Sequence, residues 1–174
     1  LQASLYAYKL EPSADAAVGC AAMAFKKGDI DGSVKFFDEA INLETDNAKK
    51  ADNAYKAASV LASAKKLSQA RSYAQKAISF NENFGAPYIL IAQLYAGNYK
   101  WNDEPALNKC TFFAAIDKLQ RAKAVDPSVA EEANKLISSY SAYTPEAKDL
   151  FMLGYKAGDR ITIGGWIGET TTIR

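Results

Sequence analysis

The sequence predicts an all-α solenoid of antiparallel helix pairs, finished by capping helices and a short C-terminal β-hairpin. Three observations predict it. Small residues return at a near-constant interval: Ala21 to Ala58 is 37 residues and Ala58 to Ala92 is 34, while Ala40 to Ala77 is 37 and Ala77 to Ala122 is 45. Within each interval, apolar residues recur at helical spacing in two consecutive stretches. Near the end the period drops to two, in Arg160-Ile161-Thr162-Ile163 and Thr170-Thr171-Thr172-Ile173-Arg174.

Composition narrows the function before any motif is read. With 174 residues, 49% of them hydrophobic, the chain can bury a substantial core. A net charge of +1 gives no field that would draw nucleic acid or an anionic membrane. No apolar run approaches the length of a membrane span. The absence of histidine removes the commonest general base, the usual acyl-transfer triads and most zinc sites. The acidic residues show no pairing that marks a glycosidase or a metal site, so neither an enzyme nor a cofactor is expected. Cys20 and Cys110 fall two repeats apart. Packed helices lie roughly 8–10 Å apart and a disulfide needs Cα atoms within about 7 Å, so both cysteines read as free, buried and apolar.

The elements follow in order. Residues 1–12 read as the remnant of an upstream repeat, with further repeats expected before it. Helix pairs are expected over 14–47, 51–84 and 85–129, the last with an insertion near 97–108. Gly28 is placed as a left-handed C-cap between paired helices, and Lys65 stands where the next unit needs the same turn. Phe37, Leu43, Leu67, Phe80, Leu119 and Val125 are expected to fill the spaces between units. In the insertion, Glu104-Pro105 suits a helix start capped by Asp103 or Asn102, and that helix should run to about Val125. Tyr99 and Trp101 on this loop have two readings. They are partner contacts, or Trp101 folds back onto the solenoid, which the tendency of large aromatics to bury favours. Ser128-Val129-Ala130-Glu131 reads as a capping box opening a capping helix over 128–143. Residues 144–174 should supply a helix and the hairpin. Thr144 is expected to cap that helix and Gly158 to stop it, with Ala147, Leu150, Phe151, Gly154 and Tyr155 on one face. The hairpin is marginal alone. It should pack on this last helix through Trp166 and Ile167, or pair with another strand.

The repeat of Cys20–Leu43, returning around Ala58–Phe80 and again from Ala92 to Pro127, resembles the tetratricopeptide (TPR) family. The resemblance implies protein–protein interaction, as a scaffold or adaptor taking a peptide or helix in a concave groove. In that family the first helix of each unit lines the groove. It therefore implies partner contacts at Val18, Phe25, Lys26, Tyr55, Ser59, Ile89 and Gln93, each of which could equally pack between neighbouring helices. The family's carboxylate clamp for chaperone tails would fall on Val18, Ala22, Tyr55 and Ser59, which carry no positive charge. The ending Gly164 to Arg174, Gly-Gly-Trp-Ile-x-Glu-Thr-Thr-Thr-x-Arg, resembles that of bacterial, envelope-associated TPR proteins, and it implies such an origin. A second function remains open: self-assembly through the exposed edge of the hairpin, with Trp166 as a further contact candidate.

Overall fold

The computed structural model describes residues 2–174; Leu1, the first residue of the expected repeat remnant, lies outside the described residues. The chain divides into two compact units, Leu1–Pro87 and Tyr88–Arg174.

The first unit holds α1 (Gln2–Leu10), α2 (Ala14–Lys26), α3 (Ile30–Leu43), α4 (Asn47–Ser63) and α5 (Leu67–Phe80). Helix α2 packs on α3 and α4 on α5, with further packing of α1 on α2 and α3 on α4. Side chains set several helix starts. Ser13 Oγ accepts from the Ala16 amide, Asp29 Oδ1 from Gly32, and Asp46 Oδ2 from Lys49, each satisfying an amide that the first turn leaves free. The turns inside the two pairs repeat bond for bond. Gly28 (φ 80°) donates to Phe25 and Asp29 donates to Ala24; 37 positions later Lys65 (φ 58°) donates to Ala62 and Lys66 to Leu61. This is the paired-bond termination of a helix through a left-handed residue. Lysine adopts it against the usual steric preference, because a Cβ is crowded there.

Small residues let the helices close. Ala17, Ala21, Ala24, Ala40, Ala54, Ala57, Ala58, Ala70, Ala74 and Ala77 are buried. Buried Ser33 donates its hydroxyl to the Ala21 carbonyl at 2.9 Å, tying α3 to α2. Two apolar clusters sit on this floor: Ala21, Phe37, Ala57 and Val60, and Ile41, Ala54 and Ala77. Of the expected space-fillers, Phe37 is buried and Leu67 and Phe80 half-buried, but Leu43, the last residue of α3, is exposed.

The second unit takes most of α6 (Ala86–Gly97), then α7 (Pro105–Lys109), α8 (Thr111–Val125), a 3₁₀ turn at Pro127–Val129, α9 (Ala130–Ser141), α10 (Ala147–Met152), β1 (Arg160–Thr162) and β2 (Thr170–Thr172). The strands form the expected antiparallel hairpin, with Ile161 opposite Thr171. Four local expectations are corrected. The helix after the insertion breaks at Cys110 into α7 and α8, and Glu104 holds the N-cap position while Asn102 Oδ1 accepts the Glu104 amide. The capping box at Ser128 does not form: Asp126 accepts from both the amide and the hydroxyl of Ser128 and starts the 3₁₀ turn instead. Thr144 donates its hydroxyl to the Ser141 carbonyl, closing α9, and Glu146 precedes α10. Helix α10 stops before Gly154 (φ 93°), short of Gly158, so Leu150 is buried while Phe151 is exposed.

The hairpin packs mainly on α8, and the last helix, α10, meets only the end of β2 at Ile173 and Arg174. Ile161, Ile163, Ile167 and Ile173 are buried. Thr171 donates to Asp117 Oδ2 at 2.6 Å, Arg174 pairs with the same carboxylate and lies over the Phe113 ring, and Lys118 reaches Glu169 at 2.6 Å. A polar strand of threonines is thus fastened to the helix by one aspartate.

Candidate partner-binding surfaces

On α2 the residues Asp15, Val18 and Ala22 fall three or four apart, with Phe25 and Lys26 three and four beyond Ala22, and on α4 Asp52, Tyr55, Ser59 and Ala62 are spaced likewise. Such spacing lines one face of a helix. The structure separates these positions by depth. Val18 packs on the cluster of Ala21, Phe37, Ala57 and Val60. Tyr55 packs on Ile41, Ala54 and Ala77 and meets Phe84 edge-to-face at 5.4 Å. Ser59 spends its hydroxyl on the Tyr55 carbonyl at 3.0 Å. These three are half-buried and serve the core as well as the face. Phe25, 42% exposed, and Lys26 stand out to solvent beside exposed Ala22.

The second unit sorts its candidates differently. Ile89 is only 3% exposed and is a core residue, not a surface contact; Gln93, one turn on, is exposed. Trp101 folds back, donating its indole N–H to the Leu107 carbonyl at 3.0 Å. Its ring also stands against Gly164, where an added Cβ would lie 2.7 Å from Cε3, so the hairpin approaches the insertion only because Gly164 has no side chain. Tyr99 tilts against Phe112, and Trp166 meets Tyr95 edge-to-face at 5.5 Å. All three aromatics are half-buried parts of the packing.

Sequence reasoning missed the residue that orders the insertion. Buried Asn108 accepts from the amides of Trp101 and Asn102 at 2.8 and 2.7 Å and donates to the Asn102 carbonyl at 2.6 Å. Its one signal is an amide side chain directly after the apolar pair Ala106-Leu107 in a short helix. Asp117, the hairpin's anchor, is the one acidic residue of α8, and a lone acid on a helix reads in sequence like any solvated surface acid.

The titratable groups bear on chemistry. Burial pushes the Cys110 thiol up to about 11. Burial first, then the Glu39 carboxylate, raises that of Cys20. Both thiols are free, and both stay protonated at neutral pH, which leaves them poor nucleophiles. Tyr73 is pushed up to about 12, first by burial and then by Asp38, whose two carboxylate oxygens each lie 2.8 Å from its hydroxyl. Among the described residues no three His, Cys, Asp or Glu side chains gather as a metal would require, and no helix is long and apolar enough to cross a membrane.

No protein-family model and no curated protein matches the sequence. Solved structures do resemble it. The TPR2B domain of yeast Sti1 in complex with pHsp70 aligns at 23% identity over 74% of this chain and 96% of that one, with a TM-score of 0.57. The first TPR of Spaghetti (RPAP3), bound to an HSP90 peptide, aligns at 16% identity over 75% and 94%, TM-score 0.56. YrrB, a TPR protein with an unusual peptide-binding site, aligns at 21% over 87% and 71%, TM-score 0.54. At these identities the likeness carries the fold, and the fold of this chain is a TPR-like helical repeat with a small C-terminal antiparallel hairpin.

Proposed function

We propose that the chain is a protein-interaction module whose first unit takes an extended peptide or a helix along the shared face of α2 and α4. The observation that carries this is Phe25, a large aromatic left exposed on a helix whose other large apolar side chains are at least half covered. With Ala22 and Lys26 beside it, the face offers an apolar anchor and a cation to a partner's side chains. Structures of the same fold hold peptides: the Sti1 domain is in complex with pHsp70 and the RPAP3 domain with an HSP90 peptide. A terminal carboxylate is a poor match here, because Val18, Ala22, Tyr55 and Ser59 bring no positive charge. Gln93 is kept as a separate contact on the second unit, whereas Ile89, Trp101 and Trp166 are already spent in packing. A non-catalytic role fits the missing histidine and the two protonated thiols. The Gly164–Arg174 ending supports a bacterial, envelope-associated source. Self-assembly through the hairpin has weaker support, since the hairpin's apolar side chains are buried within its own chain.

The immobilised chain should retain a protein from a bacterial lysate, and Phe25→Ser/Lys26→Glu should weaken its binding about tenfold or more without changing the circular dichroism. Equal retention by both chains would sink the reading.

A further inference from the structure

The second unit carries a different surface. Helix α10 meets the end of β2 around a groove of about 420 Å³. That volume is within the roughly 300–1,000 Å³ of ligand-sized pockets. Its floor includes buried Leu150, and its lip is Phe151, 74% exposed, and Met152, 85% exposed. Three cations, Lys148, Lys156 and Arg174, complete the wall, and among the described residues no Asp or Glu lines it. Their ion-pair partners, Glu146, Asp159 and Asp117, all lie outside the wall. The two lysine ammoniums, with three donors each, keep some for a second acceptor after one such bond, whereas the Arg174 guanidinium is committed to Asp117, Thr171 and the Thr172 carbonyl.

We infer that this groove docks an acidic peptide segment that anchors one or two large apolar side chains between α10 and β2. Charge complementarity selects that occupant. A second copy meeting the groove across a two-fold axis would set the same cations against each other. A flat anionic bilayer would reach the lip but not the floor at Leu150. A segment with Leu, Phe or Met beside Asp or Glu satisfies both the floor and the wall, and the Phe151–Met152 pair presents adaptable apolar surface to it.

The test is to pan a randomised peptide display library on the full chain, then synthesise an enriched peptide and titrate it. Phe151→Ser/Met152→Ser and Lys148→Glu/Lys156→Glu alter exposed side chains, and circular dichroism verifies their fold. The expected result is enrichment of acidic peptides with large apolar residues. Each double variant should weaken the peptide about tenfold, added salt should weaken it further, and Phe25→Ser/Lys26→Glu should leave it unchanged. No enrichment, peptides without an acidic excess, or peptides indifferent to both double variants would overturn the inference. So would self-association in sedimentation, or flotation with phosphatidylserine vesicles, that Phe151→Ser/Met152→Ser abolishes.

Discussion

The two units reach a packed core by opposite means. In the first, buried alanines line the approach of α2 to α3 and α4 to α5, and few large side chains are needed. In the second, Ile91, Tyr95, Phe112, Phe113, Ile116, Leu119, Leu150 and four isoleucines of the hairpin region are buried. Close-set helices leave no space to fill; an insertion and a hairpin leave spaces that only large residues fill. The sensitivity to substitution should therefore invert between the units. Leu119→Ala in the second unit should cost about 3 kcal/mol, through lost transfer energy and a cavity. Ala57→Leu in the first should cost about 2 kcal/mol, through strain where both neighbours are already in contact. Urea unfolding monitored by circular dichroism measures both, and a harmless Ala57→Leu would show that the helices are not held at alanine distance.

A polar bond sharpens the comparison at the next scale down. Tyr73 on α5 donates to Asp38 on α3, so the two helix pairs of the first unit share one half-buried hydrogen bond. Tyr73→Phe should cost about 1.5 kcal/mol, in the range of a bond to a charged acceptor. The phenol is raised in the folded chain, so its contribution is complete below its ordinary value of 10.0 and is lost as pH climbs towards about 12. Stability curves of the parent and Tyr73→Phe should converge over that interval; curves that stay parallel from pH 9 upwards would remove Tyr73 as the cause. The smallest effect is a gain. Lys65→Gly should stabilise the first unit by about 0.5–1 kcal/mol, relief of the left-handed strain outweighing the added freedom of the unfolded chain. A loss of stability would mean that the lysine stem packs more usefully than its backbone suffers.

What the sequence made legible follows the same division. Alanine spacing and the glycine turn located the paired helices of the first unit, because each repeat restates the same local rule. The match of Gly28 to Lys65 was readable only through that register, since lysine alone does not announce a left-handed turn. In the second unit the local rules competed. Ser128 and Asp126 both could cap, and the nearer turn went to Asp126. The helix after the insertion looked continuous, yet it breaks at Cys110. The bonds that decide this unit, Asn108 to the loop and Asp117 to the strand, join residues whose proximity no period encodes. Surface candidates were legible as a face, but depth was not: Phe25 and Ile89 look alike in sequence and differ in exposure by tertiary packing alone.

The bond from Thr171 to Asp117 spans 54 residues, and that separation has a consequence during synthesis. A helix pair of the first unit can close as soon as its second helix leaves the ribosome. The stretch of α8 that the hairpin covers, around Phe113 and Asp117, must wait until the strand is made. At about 5–20 residues per second the delay is roughly 3–11 s. Over that time the Phe113 side of α8 stands without the cover that the hairpin later supplies, which makes this interval the one in which a chaperone or a neighbouring nascent chain can reach it.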